Sequence, residues 1–276
     1  MQTNLAASPY SPRRSHELAG KGAVVTGSTS GIGLAIVHTF ATAGMSIMLN
    51  GFGDETEIEA MRSEIETRYG VRAAYSAADM AKPDEIETMI NAATDRFGTV
   101  DVLVNNAGIF HVAAIETMPP KRWDDTIAVN LSSAFHAVRT VLPGMKARGW
   151  GRIINVASAL GLVGAPNCAA YAASKHGIAG FTKSVALEAA IHGVTVNAIC
   201  PGYVRTPLLA RDIEEAARTR GVPREAVERD LLAESQPTKR FVDPAEIGSL
   251  AAFLCSEGAA SITGAALPID GGWTAR

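Results

Sequence analysis

Residues 21–33 read Lys-Gly-Ala-Val-Val-Thr-Gly-Ser-Thr-Ser-Gly-Ile-Gly. A short β-branched strand runs into a glycine-rich turn, and a helix opens at about Ile32. Gly27, Gly31 and Gly33 let the backbone turn tightly and approach a pyrophosphate seated on the helix N-terminus, with Thr29, Ser30 and Ile32 completing the loop. The spacing Thr-Gly-x-x-x-Gly-x-Gly differs from the usual G-x-G-x-x-G, and a glycine-rich loop alone also fits an ordinary turn. The strand before it and the helix after it point to a dinucleotide.

The rest of the chain continues the pattern. Residues 46–50, Ser-Ile-Met-Leu-Asn, read as a second strand whose end reaches toward an adenosine ribose. An acidic residue there would hold the 2′-hydroxyl, and an arginine would accept a 2′-phosphate. This chain has Asn50, with no lysine or arginine until Arg62, which argues for NAD over NADP. Phe52 fits either a packing contact on adenine or a plain hydrophobic contact. A third strand over residues 71–75 leads to Asp79 and Met80, where an adenine amino group could be held. Asp79 also fits a helix cap before Pro83. A fourth strand ends in Asn105-Asn106-Ala107-Gly108, a small polar turn. Asn130 falls inside a long helix expected over residues 121–147. An asparagine in mid-helix is normally a cost, unless it kinks the helix and holds a relay water or makes a side-chain tie.

Residues 158–175 carry the chemistry. Tyr171 and Lys175, at i and i+4, share one helix face. A free phenol titrates near pH ~10, and an ammonium one turn away favours the phenolate. That makes the tyrosine a usable general acid/base. Ser158 ends a buried parallel strand, and its hydroxyl can reach an oxygen that also faces Tyr171. The trio suits proton transfer at a carbinol oxygen. Tyr-x-x-x-Lys alone is common and equally fits two solvated side chains. A sixth strand over residues 194–199 precedes the turn Pro201-Gly202-Tyr203-Val204-Arg205-Thr206. This rigid turn is placed to touch a nicotinamide through Pro201, Gly202, Val204 and Thr206. Residues 206–235 read as helices broken by Gly221 and Pro223, either a lid or a surface helix pair. A last strand over residues 262–269 closes the core.

Composition bounds the class. The 276 residues are 47% hydrophobic and 19% charged, enough for one large α/β domain over residues 18–276. A net charge of −3 gives no electrostatic case for nucleic acid or a charged membrane surface. No apolar run is long enough to span a bilayer. The three separated cysteines, Cys168, Cys200 and Cys255, suggest neither a disulfide framework nor a zinc site and fit a reducing cytoplasm. Residues 1–17 read as a disordered extension. Arg13-Arg14 is followed by no apolar segment, as a twin-arginine signal would require.

Thr26-Gly27-x-x-x-Gly31-x-Gly33, Asn105-Asn106-Ala107-Gly108, Asn130, Ser158, Tyr171-x-x-x-Lys175 and Pro201-Gly202 together resemble the short-chain dehydrogenases/reductases. Order and spacing match from about Leu18 onward. The resemblance implies a Rossmann-type doubly wound parallel sheet of seven strands with helices on both faces. It also implies hydride exchange between a nicotinamide and a small-molecule substrate, usually in a homotetramer. By the same resemblance Tyr171 is the acid/base, Lys175 lowers its pKa and binds the ribose, Ser158 holds the substrate oxygen and Asn130 positions the relay water.

A narrower similarity is to bacterial (R)-3-hydroxybutyrate dehydrogenases, which use NAD. It rests on Leu49-Asn50-Gly51-Phe52-Gly53, residues 130–136, residues 142–152, Asn197-Ala198-Ile199-Cys200-Pro201-Gly202 and the ending Asp270-Gly271-Gly272-Trp273. The carboxylate-binding positions depart from that group. Phe110 stands for glutamine, Leu160 for histidine, Cys168 for lysine, Asp212 for glutamine and Tyr203 for tryptophan. Burying an unpaired carboxylate is costly; Phe110, Leu160 and Cys168 cannot pair it, and Asp212 would repel it. The expectation is an NAD-dependent dehydrogenase of a different or larger hydroxy compound. The alternatives are a rearranged clamp for hydroxybutyrate, a 3-oxoacyl thioester reductase, and a non-catalytic dinucleotide sensor.

Overall fold

A computed structural model of the chain describes residues 17–275. The extension expected over residues 1–17 lies outside them, Glu17 apart. Seven strands form one sheet in the order β3-β2-β1-β4-β5-β6-β7, every neighbouring pair parallel. In chain order they are β1 (Gly22–Val25), β2 (Ser46–Asn50), β3 (Ala73–Ser76), β4 (Val102–Asn105), β5 (Gly151–Val156), β6 (Val194–Pro201) and β7 (Ala266–Ile269). Between them run α1 (Gly31–Thr42), α2 (Glu55–Tyr69), α3 (Pro83–Phe97), α4 (Pro120–Ile127), α5 (Ser133–Arg148) and α6 (Ala169–Ala189). Helices α7 (Pro207–Arg220), α8 (Arg224–Glu234) and α9 (Pro244–Cys255) precede the last strand.

A parallel sheet must be covered on both faces, so its strands read as continuous apolar runs. The β1, β4 and β5 strands are buried at every position. Their alternate residues serve opposite layers. Ala23, Val25 and Leu49 pack with Ile36, Phe40 and Ile247 of α1 and α9. Val24, Met48 and Leu103 pack with Ile86, Ile90 and Met145 of α3 and α5. β1 pairs with β2 on one side and β4 on the other, so the chain direction across the sheet reverses there. A crevice opens at such a switch point, beyond the carboxyl ends of the strands.

Two departures from regular helix shape that crevice. The helix expected over residues 121–147 forms, but a π-helical turn at Ala128–Ser132 joins α4 to α5. Asn130 is buried inside it. Residues 207–234 form the expected helix pair, with Gly221 as the left-handed cap of α7 and Pro223 ahead of α8.

Candidate active site

The glycine-rich turn is held from two sides. Thr26 Oγ accepts the Asn106 and Ala107 N–H groups at 2.9 and 3.0 Å, and Asn106 Nδ2 donates to the Thr26 and Gly27 carbonyls. Gly27 has φ +61, and a methyl group on it would come within 2.8 Å of the Ala107 Cα. Only glycine satisfies both demands. Gly33 is buried behind the turn, against the Gly27 carbonyl. The N-terminus of α1 carries no side-chain cap and no acidic residue in its first turn. By contrast, Asp54 caps α2 through the Thr56 and Glu57 N–H groups. The open donors of α1 and their positive dipole end therefore face the cleft and fit a pyrophosphate.

A cleft of about 500 Å³ runs from this turn to the end of β5. Gly27, Thr29, Ser30, Gly31 and Ile32 line one end, and Asn50, Phe52, Asp79 and Met80 the next stretch. Asn106, Ala107 and Gly108 form the floor. Pro201, Gly202, Val204 and Thr206 face Ser158, Tyr171 and Lys175 across the far end. Every dinucleotide-binding residue expected from the sequence lies on this cleft except Gly33.

Asn50 departs from its expected use. Its side chain is fully buried and fully engaged. Oδ1 accepts the Gly27 N–H at 3.1 Å, and Nδ2 donates to the Ser76 and Ala78 carbonyls. It therefore shapes the turn rather than offering a free donor to a ribose. Phe52, 67% exposed, is the side chain that stands out at that end. Asp79 lines the cleft and accepts the Ala81 N–H at 2.9 Å in the turn ahead of α3; the helix itself starts from Lys82 without a side-chain cap, so Asp79 does not cap it.

At the far end Ser158 follows β5, and its Oγ accepts the Leu160 N–H at 3.1 Å. Tyr171 lies in the first turn of α6, with Lys175 one turn on. Ser158 faces the phenol and pulls its pKa down. Lys175 is buried, its Nζ 5.5 Å from the Tyr171 ring centroid, and donates to the Val156 carbonyl at 2.7 Å. Burial pushes the phenol above its ordinary value, and Ser158 only partly offsets this. Burial also pushes the Lys175 ammonium down to about 8. Desolvation dominates at both groups, so the phenol stands above its ordinary value rather than below it, where the spacing to Lys175 leads one to expect it. Asn130 clamps the loop after β4. Its Oδ1 accepts the Ile109 N–H at 2.8 Å and its Nδ2 donates to the Ile109 carbonyl at 2.9 Å and to Ser174 Oγ. The side-chain tie is the alternative this geometry realises.

Of the five positions expected to grip a substrate, Phe110 alone lines the cleft, while Cys168 lies close enough to Tyr171 and Tyr203 to act on both. The Phe110 ring stands edge-on to Tyr171. Leu160 and Cys168 are buried and off the lining. Tyr203 stacks on Trp273. Asp212 lies in an adjoining chamber under α7. Leu and Cys pack where nothing polar competes for water, which is why burial removes them from the surface. At the start of the expected lid, Arg205 stands over the Phe241 ring, and neither it nor Arg211 lines the cleft. Among the described residues, no group of three His, Cys, Asp or Glu is placed to hold a metal ion.

Two positioning residues escaped the sequence reading. Thr26 was legible only as the neighbour of Gly27. Gln236 is fully buried; its Oε1 accepts the Tyr203 N–H and its Nε2 donates to the Arg240 carbonyl. A methyl group on Gly202 would come within 2.5 Å of that Oε1. No local pattern marks Gln236, because Tyr203, on the turn after β6, lies 33 residues upstream of it.

A doubly wound sheet with an uncapped helix N-terminus over a glycine turn defines a Rossmann-type nucleotide-binding protein. The family model described as short chain dehydrogenase matches residues 21–217. The chain is 55% identical to a D-beta-hydroxybutyrate dehydrogenase of Cupriavidus necator over 94% of its own length and all of that protein. It is 53% identical to one of Rhizobium meliloti, over 93% of this chain and 99% of that one. An L-sorbose reductase of Gluconobacter frateurii, solved with NADPH and L-sorbose, superposes with a TM-score of 0.89 at 32% identity, covering 93% and 97% of the two chains. The chain therefore belongs to the short-chain dehydrogenase family, as an oxidoreductase related to the 3-hydroxybutyrate dehydrogenases.

Proposed function

We propose that this protein is an NAD-dependent dehydrogenase interconverting a secondary alcohol and a ketone, with a substrate larger than 3-hydroxybutyrate. The single observation that carries the substrate reading is the charge of the cleft. Among the described residues its only lining cation is Lys175, which gives one donor to the Val156 carbonyl and is taken in this reading by the phenolate and a ribose, so a small carboxylate beside Tyr171 would find no cation of its own. Phe110 offers that carboxylate a ring edge instead.

The preference for NAD is supported at the other end. Among the described residues no lysine or arginine lines the cleft near Asn50 and Phe52, and Asp79 does. A 2′-phosphate would meet the Asp79 carboxylate, whose neighbour Lys82, 4.0 Å from it, is off the lining and paired more closely to Glu85 at 2.8 Å.

A nicotinamide, when bound, supplies the hydride chemistry. The protein's own residues handle the proton. Tyr171 takes the carbinol proton in oxidation and returns it in reduction, and Ser158 hydrogen-bonds the same oxygen. Lys175 steadies the phenolate and reaches a ribose. Asn130 holds the Ile109 loop against the site. Exposed Phe135 on α5, with Leu187 and Ile191 at and after the end of α6, support assembly as a homotetramer. Three free, buried cysteines support a reducing cytoplasm.

The competing reading is a 3-hydroxybutyrate dehydrogenase with a rearranged clamp, favoured by the 55% identity to such an enzyme. Comparing kcat/KM for (R)-3-hydroxybutyrate with longer and cyclic secondary alcohols separates the two. Two lost charge-assisted contacts, at ~1.5–3 kcal/mol each, cost about a hundredfold or more. High hydroxybutyrate activity overturns the substrate reading. A strong preference for NADPH would favour a 3-oxoacyl thioester reductase instead.

A further inference from the structure

The cleft does not end at Phe110. Gly108, Ile109, Phe110 and Leu208 line both it and a second chamber of about 760 Å³. That volume falls within the ~300–1,000 Å³ of pockets that enclose drug-sized ligands. The chamber lies between the loop after β4, helix α4 and the inner side of α7. Its body is apolar or uncharged: Ile109, Phe110, Val112, Thr126, Leu208 and Ala216.

Charge stands at its rim, and its balance is informative. Arg220 is paired to Asp230. That leaves Arg122 on α4 facing Asp212 and Glu215, one turn apart on α7. Burial, with Glu215 beside it, holds the Asp212 carboxyl above its usual range, although Arg211 pulls the other way. One cation against two carboxylates gives the chamber a slight negative excess. An anion gains nothing by entering it, whereas an uncharged chain can lie along Ile109, Phe110, Val112, Leu208 and Ala216, with His111, Thr126 and Thr219 as the remaining polar part of the lining.

We infer that the chamber lined by Phe110, Thr126, Leu208 and Ala216 takes the far part of the substrate, and that this part is an uncharged apolar chain or ring of several carbons beyond the carbinol. The inference rests on the proposal that Tyr171 marks the reacting carbon. Phe110, edge-on to Tyr171 and shared by both cavities, is the wall past which the chain must turn.

The test uses the full-length protein with NADH and a series of methyl ketones from four to ten carbons, each long member matched by one with a terminal carboxylate. In the wild type, kcat/KM should climb with each added methylene, by no more than about fourfold per step. The terminal carboxylate should cancel most of the gain, and Asp212→Asn/Glu215→Gln should relieve that penalty. Ala216→Trp fills the chamber from α7 and should flatten the climb. The readout is the ratio of long to short ketone within each variant, with folding checked by thermal denaturation. A flat wild-type series overturns the inference, as does a climb that survives in folded Ala216→Trp. A carboxylate that improves turnover overturns it too. Loss of turnover on every ketone, the shortest included, would instead count against the dehydrogenase reading itself.

Discussion

Phe110 and Tyr171 meet edge to face, their ring centroids 4.8 Å apart and their planes at 87°. The contact does two things. An edge-to-face pair contributes about 0.5–1.5 kcal/mol beyond area burial. It also keeps water off the phenol, which burial already holds above its ordinary value. Removing the ring hydrates the phenolate and lowers its pKa. In Phe110→Ala, the acidic limb of the pH profile for alcohol oxidation should move to lower pH. A limb that stays in place, or moves up, would show that Phe110 does not desolvate the phenol.

Tyr171→Phe should reduce kcat by about 10²–10⁴-fold, the usual contribution of a positioned proton donor. NADH affinity, read by fluorescence titration, should stay within a few-fold of the wild type. Parallel loss of nucleotide binding would assign Tyr171 to the nucleotide site rather than to proton transfer.

Phe52 is exposed at the rim of the cleft, while neighbouring Asn50 is buried and fully hydrogen-bonded. The place to install a phosphate ligand is therefore Phe52. In the wild type, kcat/KM with NAD should exceed that with NADP. Phe52→Arg should narrow the ratio by about tenfold, since one charge-assisted contact is worth ~1.5–3 kcal/mol. Equal use of both nucleotides by the wild type would contradict the cofactor assignment.

Lys175 makes a prediction about stability. Its folded-state value of about 8 lies below the ordinary 10.5. Below about pH 8 both folded and unfolded chains hold the proton, and the cost of burying the charge is present in full. Between 8 and 10.5 the folded chain has released a proton that the unfolded chain keeps. Stability from this group therefore rises with pH. Lys175→Met removes the titration. The wild type should accordingly gain on the variant by up to about 3 kcal/mol between pH 7 and pH 10.5, in urea unfolding without nucleotide. A gap that stays constant would mean that the buried amine keeps its proton throughout, as the unfolded chain does.

Much of this protein is written locally. Strand β2 falls on the expected residues, because a β-branched or apolar run between turn signals has one way to be buried in a parallel sheet. The glycine turn, the Tyr171–Lys175 face of α6 and the break at Gly221 likewise follow from backbone freedom and helical period. Tertiary packing decided the rest. Whether Asn50 points into the cleft or into the turn depends on the Ser76 and Ala78 carbonyls of another strand and the loop beyond it. The direction of the Tyr171 shift depends on how deeply the phenol is buried, and no spacing encodes depth. Leu160, Cys168 and Tyr203 lie near the site in sequence but turn into the core or onto Trp273. Gln236, without any motif, reaches back across the fold to hold Tyr203. Hydrogen-bond partners and desolvation are properties of neighbours in space, and those neighbours come from segments that the chain order keeps far apart.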